Sequence, residues 1–443
     1  MNKTTDVLLI VNYWHFEEEK ASSRYRTMAN LIVEKGYCLE VVTSSFRHLT
    51  KKQRNIEKTY LETLPYKVTM LYESGYKKNI SLSRMYSHFV FGRNIKKYLS
   101  ERKTPDIIIV SVPSLDVGDV VTKYANKNGV KVIVDIQDLW PEAYKMAINI
   151  PLISDLLFLP MKLRANRIYS RADRIMAVSD TYVKRGLECN RKDTTGLSLY
   201  IGTDPELVER ELKNKTVDKP GNEFWVGYVG ALGHSYDIRL VIDAIQKVSV
   251  QKDCKIVFKV MGDGVLKSEF ELYAKSKGIC CDFTGFLNYG QMMATLKACD
   301  VAVNPIVGHS VSSIINKVSD YAIAGVPVIN SQNSTEYRDL ISEYECGLNC
   351  SSGDADDFAR AISYCMDNPD AVEAMGKNSK KLGAEKFNRL RTYTKVIELI
   401  EECVRNEYNS FYSGSCFNNE PAGLFLVRQN EYPIGCDCNK SSE

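Results

Sequence analysis

Strand-length apolar runs alternate with helix-period segments along nearly the whole chain, and this alternation constrains the fold more than any single motif. In the first half the runs are Val7–Val11, Leu39–Thr43, Ile107–Val112, Val132–Ile136, Ile175–Val178 and Leu197–Ile201. In the second half they are Trp225–Val229, Ile256–Val260, Cys281–Thr284, Val301–Asn304 and Val326–Ile329. A strand that is apolar on both faces belongs in a sheet covered on both faces, and the helical segments between the runs supply the cover. The pattern predicts an α/β protein built from parallel, doubly wound sheets. A chain of 443 residues is too long for one ordinary core and suits two. The segment GTDPELVERELKNKTVDKPGN, Gly202–Asn222, turns from apolar to charged and ends in Pro-Gly. It places the boundary between a domain at 1–202 and a second at 203–386. A last helix is predicted over 387–405, crossing back to the first domain, and 406–443 is predicted to be an irregular or disordered tail.

Charge narrows the partners. The net charge of +3 is the sum of unequal halves: residues 1–205 hold 32 Lys/Arg against 22 Asp/Glu, and the remainder holds 26 against 33. A basic half points to an anionic partner. Within it, residues 51–100 carry 11 basic and 3 acidic residues, concentrated in KKQRNIEK and in the amphipathic SLSRMYSHFVFGRNIKKYL. The readings are a solvated basic face, or contact with anionic lipid headgroups or a pyrophosphate-linked acceptor; no nucleic-acid motif accompanies the charge. The apolar stretch Ile150–Arg164 reads equally as a core helix or as a membrane-facing one. No run of 18 uncharged apolar residues occurs. The N-terminus lacks a small-residue cleavage site, so a cytoplasmic protein is expected. The thirteen cysteines read as reduced thiols, and neither Cys280-Cys281 nor Cys436-x-Cys438 has partners at zinc spacing. No metal and no cofactor are expected.

Three segments of the second half suit an anionic, hydroxylated ligand. FWVGYVGALGHSYDIRLVIDAI is strand, glycine loop and helix, in which Gly230 and Gly233 permit close backbone approach and the helix offers its positive end. Its G-x-x-G-x-x-G spacing is not the dinucleotide fingerprint. Val260-Met-Gly-Asp-Gly264 ends another strand with Gly262, and Phe283-Thr-Gly-Phe286 presents Phe286 and backbone at a third edge, for a flat base or for packing. DVAVNPIVGHSVSSIINKVSDYAIAGVPVIN carries Asn316, Lys317 and Asp320 on one helix, with Lys317 read toward phosphates and Asp320 toward ribose hydroxyls. In the first half, VDIQDLWPEAYK puts Asp138, Trp140 and Glu142 at a strand terminus. Asp138 is there either a base that orients a hydroxyl or a helix N-cap. Ser23 and Arg24 begin a helix after the first strand, where they either cap it or hold an anionic group.

Together these motifs, over about 5–402, resemble glycosyltransferase family 4 of bacterial capsule, exopolysaccharide and O-antigen assembly. The matching pieces are SSRYRTMANLIVEKGYCLEVVTS, VDIQDLWPEAY, YSRADRIMAVSDTYVKRG, IGTDPEL, YVGALGHSYDI, VMGDG, FTGFLNYGQM, NKVSDYAIAGVPVIN and GDADDFARAI, in that order. The resemblance implies the GT-B fold, two Rossmann-like domains facing across a cleft. It implies metal-free retaining transfer of a hexosyl or N-acetylhexosaminyl group from a nucleotide-sugar, usually UDP-linked, to a polyprenyl-linked saccharide. The first domain would hold the acceptor, through Ser23, Arg24, Trp140 and Glu142, and the second the donor. The enzyme would sit peripherally on the anionic inner face of the cell membrane. The chain departs from the family where two glutamates seven residues apart are usual: Ser312 and Asp320 stand there. Ala231 and Tyr236 replace the usual donor-loop cations, which leaves Lys317, backbone N–H groups, His234 and Arg239 for the diphosphate. Catalytic roles fall to Lys317 and Asp138, the latter standing nearest to a histidine that the family often has. A nucleotide-sugar 2-epimerase of the same fold and a non-catalytic binding protein are the rival readings.

Overall fold

The computed structural model describes residues 4–19, 23–147, 153–192, 194–251, 254–307 and 314–413. Its strands are β1 (Asp6–Val11), β2 (Cys38–Ser44), β3 (Phe46–Arg47), β4 (Lys52–Gln53), β5 (Lys67–Leu71), β6 (Ile107–Val112), β7 (Lys131–Ile136), β8 (Arg174–Ala177), β9 (Gly196–Ser198), β10 (Glu223–Val229), β11 (Lys255–Met261), β12 (Cys281–Gly285), β13 (Val301–Asn304), β14 (Val328–Asn330) and β15 (Gly347–Asn349). Two parallel sheets result, ordered β5-β2-β1-β6-β7-β8-β9 and β12-β11-β10-β13-β14-β15, and β3 and β4 form a small antiparallel hairpin. In each sheet the order runs outward in both directions from a central pair, β1/β6 and β10/β13. That reversal opens a crevice at the strand C-termini, where ligands of doubly wound sheets bind.

The apolar runs become strands because both faces are covered. Leu8 and Ile10 join a core with Phe91, Ile95, Val121 and Ile168, whereas the intervening Val7, Leu9 and Val11 join another with Met28, Ile32, Val396 and Ile400. Burial of each such side chain contributes about 1.5–3 kcal/mol relative to exposure. The second of these cores is completed from the far end of the chain. The helix Thr394–Ser413 supplies Val396, Ile397, Leu399, Ile400 and Cys403 to it.

Each predicted run contains a strand, with shifts that have local causes. Leu197–Ile201 stops at Ser198 because the carbonyls of Tyr200 and Ile201 accept instead from the Tyr393 hydroxyl (3.3 and 3.1 Å), and that of Ile201 also from Arg389 Nε (3.0 Å). Val326–Ile329 becomes Val328–Asn330, since Pro327 has no N–H for the ladder. The edge strands β5 and β15 were not signalled: they are short and half-buried. The helix predicted over 387–405 is broken at Asn388, which caps a short helix at Arg389–Thr392, and the long helix then continues to Ser413, inside the segment expected to be irregular. The remainder of that segment, 414–443, lies outside the described residues.

Candidate functional site

The second sheet's crevice is built by backbone packing. After β10, Gly230 adopts φ +142°, a region L side chains rarely enter, and its N–H donates to Met261 O (3.0 Å). Leu232 N donates to Asp263 O (2.9 Å). A Cβ on Gly262 would lie 1.8 Å from Gly230 O, so Gly262 makes room for the neighbouring loop rather than for a ligand. A Cβ on Gly233, in contrast, would meet nothing within 4 Å. The loop is tied to the one after β13 by Asp237 N to Pro305 O (3.0 Å) and Val307 N to Ser235 O (3.2 Å). The helix Ile238–Ser249 then begins under Asp237, whose carboxylate accepts from Leu240 N (3.1 Å).

Lys317 stands in the first turn of the helix Asn316–Ala324 and is 7% exposed. Its Nζ has no hydrogen-bond partner and forms no ion pair among the described residues. It lies 4.1 Å from the ring centroid of Tyr228 and 4.0 Å from that of Tyr236, and 3.6 Å from where a Cβ on Gly230 would be. Burial pushes its pKa well below the ordinary lysine value. Ring quadrupoles offset only part of the desolvation of an ammonium, so Lys317 is left without a counter-charge beside the glycine loop. Sequence reasoning found Lys317 but not Tyr228, and noted Tyr236 only as standing in place of a donor-loop cation; the two tyrosines lie about 80–90 residues upstream. At the C-terminal ends of β13 and β14, Asn304, Asn330 and Gln332 form a buried amide network (2.8 and 3.1 Å) in which Asn304 Oδ1 has no partner; no sequence signal marked it.

The other expected donor residues divide. Asp320 shares the helix with Lys317, yet both its hydrogen bonds fall on Oδ1, from Thr203 Oγ1 (2.9 Å) and Tyr289 OH (2.9 Å). Burial raises its pKa. Asp320 thus ties the interdomain segment to the second domain through Oδ1. Arg239 is turned to the helix surface, where it pairs with Glu269 and lies 5.0 Å from the Tyr273 ring; it does not reach Lys317. His234, Asn316 and Phe286 are exposed, Phe286 by 89%. Ser312 lies outside the described residues.

In the first domain the structure revises two expectations. Arg24 is 5% exposed and pairs with Asp135 (3.2 Å), while its Nε donates to Tyr393 OH (2.7 Å). It is a strut between the first helix, β7 and the returning C-terminal segment, not a group offered to an acceptor. Glu142 pairs through Oε1 with Arg185 (2.8 Å) on the helix Asp180–Leu187, while its Oε2 is buried without a partner. Ser23 is an N-cap, accepting from Arg26 N (3.4 Å). The Oδ2 of Asp138 accepts from Trp140 Nε1 (3.2 Å), its Oδ1 from Tyr182 OH (3.5 Å), and burial raises its pKa. Trp140 is buried and stacked on His88, centroids 5.5 Å apart.

The strand C-termini of the first sheet approach the second domain. Glu336, at the start of the helix Thr335–Tyr344, accepts from Asp180 N (2.7 Å), Thr181 N (3.1 Å), Thr181 Oγ1 (2.9 Å) and Tyr200 OH (2.9 Å). Lys317 and Asp138 therefore belong to domains that meet at this edge.

Comparison with known proteins agrees with this architecture. Residues 209–382, less than half of the chain, match the family described as Glycosyl transferases group 1. No curated protein matches in sequence. The structure is similar to that of Anabaena HepE in complex with UDP, at 14% identity and a TM-score of 0.63, over 90% of this chain and 100% of that one. It is similar to sucrose-phosphate synthase from Thermosynechococcus elongatus at 16% identity and 0.64, over 93% and 100%. A Listeria monocytogenes protein described as a UDP-N-acetylglucosamine 2-epimerase is similar at 11% and 0.56, over 91% and 98%. The chain has the GT-B fold, two Rossmann-like domains.

Proposed function

We propose that the chain is a retaining glycosyltransferase that moves a hexosyl or N-acetylhexosaminyl group from a nucleotide-sugar, UDP-linked, to a lipid-linked oligosaccharide in surface-polysaccharide synthesis. The observation that carries this reading is Lys317, a buried cation without a counter-charge beside the open glycine loop. The second domain would hold the donor diphosphate between Lys317 and loop N–H groups, with Asp320 Oδ2 toward the ribose. As the glycosidic bond breaks, negative charge grows on the diphosphate, and a preorganised cation in a dry site stabilises it without reorganising. The leaving phosphate oxygen then takes the acceptor proton on the face it vacates, so the new bond forms there and configuration is retained. Asp138, with its raised pKa and its tie to Trp140, would orient the acceptor hydroxyl from the first domain. Charge neutralisation by Lys317 is the reason no metal is invoked.

The membrane part of the proposal rests on two helices. Leu82–Glu101 exposes Leu82, Met85, Tyr86 and Phe89, and Ile153–Arg171 exposes Leu156, Leu157, Leu159 and Leu163. The first also carries Arg93, Lys96 and Lys97 and the second Lys162, Arg164 and Arg167, the composition of an interfacial helix on anionic lipid. No helix among the described residues is long and apolar enough to cross a membrane. A panel of nucleotide-sugars tested by thermal shift and nucleotide release checks the central reading. Stabilisation by one uridine nucleotide and slow release of it from the matching sugar donor are expected. No response from any nucleotide at millimolar concentration would refute it, and conversion of the sugar at C2 without transfer would assign the epimerase.

A further inference from the structure

A second set of uncompensated cations lies at the first domain's own crevice. Asn12 and Tyr13 follow β1, and Asn12 is 1% exposed with neither amide atom partnered. Arg84, near the start of the helix Leu82–Glu101, donates from Nη2 to Tyr13 OH (2.9 Å) and from Nη1 to Asn79 O (2.8 Å), while its Nε is buried without a partner. Lys51 sits in the β3–β4 turn at φ +57°, a strained backbone for a lysine. Its Nζ donates to Asn79 Oδ1 (2.6 Å) and lies 3.2 Å from His48 Nδ1.

Both cations rest on one ring. Lys51 Nζ is 4.8 Å and the Arg84 guanidinium 5.4 Å from the centroid of Tyr76, and Arg84 is also 4.7 Å from that of Trp140. Among the described residues neither forms an ion pair, whereas Arg24, Arg54, Arg102 and Arg185 of the same domain each meet a carboxylate. Two buried carboxylates feel Arg84 without pairing with it: Glu73 is engaged by Ser87 Oγ (2.7 Å) and Asp138 by Trp140 Nε1 (3.2 Å), and burial raises the pKa of both. The two histidines add no charge, since burial pushes His48 down to about 4 and His88 to about 3. Aromatic faces hold cations in place but do not neutralise them. Two like charges gathered on one tyrosine at the sheet's crevice are a built receptor for an anion.

We infer that Arg84 and Lys51, on Tyr76 and Trp140, form a subsite for a carboxylate or phosphate group of the ligand that enters the first domain. The inference rests on the transferase reading for one step only: the ligand at this edge is then the acceptor, which carries its negative charge close to the reacting hydroxyl. A uronic-acid carboxylate and a phosphate linker share the required chemistry.

Isothermal titration separates them, with methyl glucuronide, glucose 1-phosphate and neutral methyl glucoside as probes on the whole protein. Because phosphate also suits Lys317, each titration is repeated in Lys317→Ala. At least one anionic probe is expected to bind, in Lys317→Ala as in the parent, and methyl glucoside not to. Arg84→Gln and Lys51→Met are expected each to weaken that binding by about tenfold, with UDP affinity unchanged. Binding of the glucuronide alone assigns a sugar carboxylate, and binding of the phosphate alone assigns the linker. If the neutral sugar binds as well as the anions, if no probe binds, or if folded Lys51→Met binds like the parent, the subsite is disproved. UDP binding without anion binding overturns this inference alone; anion binding lost in Arg84→Gln, without any nucleotide binding, overturns the donor reading alone.

Discussion

Arg24 and Lys317 are alike in setting, each in the first turn of a helix that follows a central strand of its sheet and each nearly out of water. Arg24 is answered internally, by Asp135 and the Tyr393 hydroxyl. Lys317 has only the faces of two tyrosines. The difference teaches that burial of a cation says nothing by itself about its purpose; what matters is whether the fold supplies its counter-charge. A compensated cation holds structure together, and an uncompensated one marks where a ligand completes the protein.

The comparison breaks most clearly at Arg24. Arg24→Met leaves Asp135 buried and unpaired, and urea denaturation should show a loss of about 3–5 kcal/mol. UDP affinity of the folded protein should not change. Lys317→Met should do the reverse: donor turnover falls by about 10²–10³, while the ligand-free protein melts no lower than the parent, because an unpaired buried charge has been replaced by an apolar chain. If both variants lost stability alike, the contrast would collapse.

Proton linkage sharpens it. The pKa of Lys317 is depressed in the empty protein by burial and returns toward its ordinary value near 10.5 once a diphosphate neutralises it. Between those two values the complex binds more protons than the free protein. UDP affinity should therefore fall as pH rises through that window, by up to about tenfold per unit. Calorimetry in buffers of different ionisation enthalpy should register the proton taken up, and none in Lys317→Met. The smallest effect is expected at Arg239, whose pair with Glu269 is half-exposed: Arg239→Ala should change stability by no more than about 1 kcal/mol and leave UDP affinity where it was.

The sequence shows the fold because parallel strands covered on both sides are continuous apolar runs, and only short, half-exposed edges such as β5 and β15 escape that signal. It shows Lys317 and the glycine loop because each is local. It does not show that Arg24 is spoken for, since Asp135 lies 111 residues away, nor that Asp320 is held by Thr203 at a separation of 117. The cations around Tyr76 come from separate segments that meet only in the folded chain. Candidate residues could be picked by type and spacing; which of them remain free for a ligand is a property of distant partners.

The returning segment has a consequence for the order in which the protein is made. The first sheet leaves the ribosome early, but Tyr393, Val396, Ile397 and Ile400, which seal one of its faces, follow 195 to 202 residues after Ser198, the end of the last strand of that sheet. At about 5–20 residues per second, that face waits roughly ten to forty seconds for its cover. The nascent first domain is thus a client for chaperones by construction, and a gene split between the two domains would have to supply the final helix to the first half.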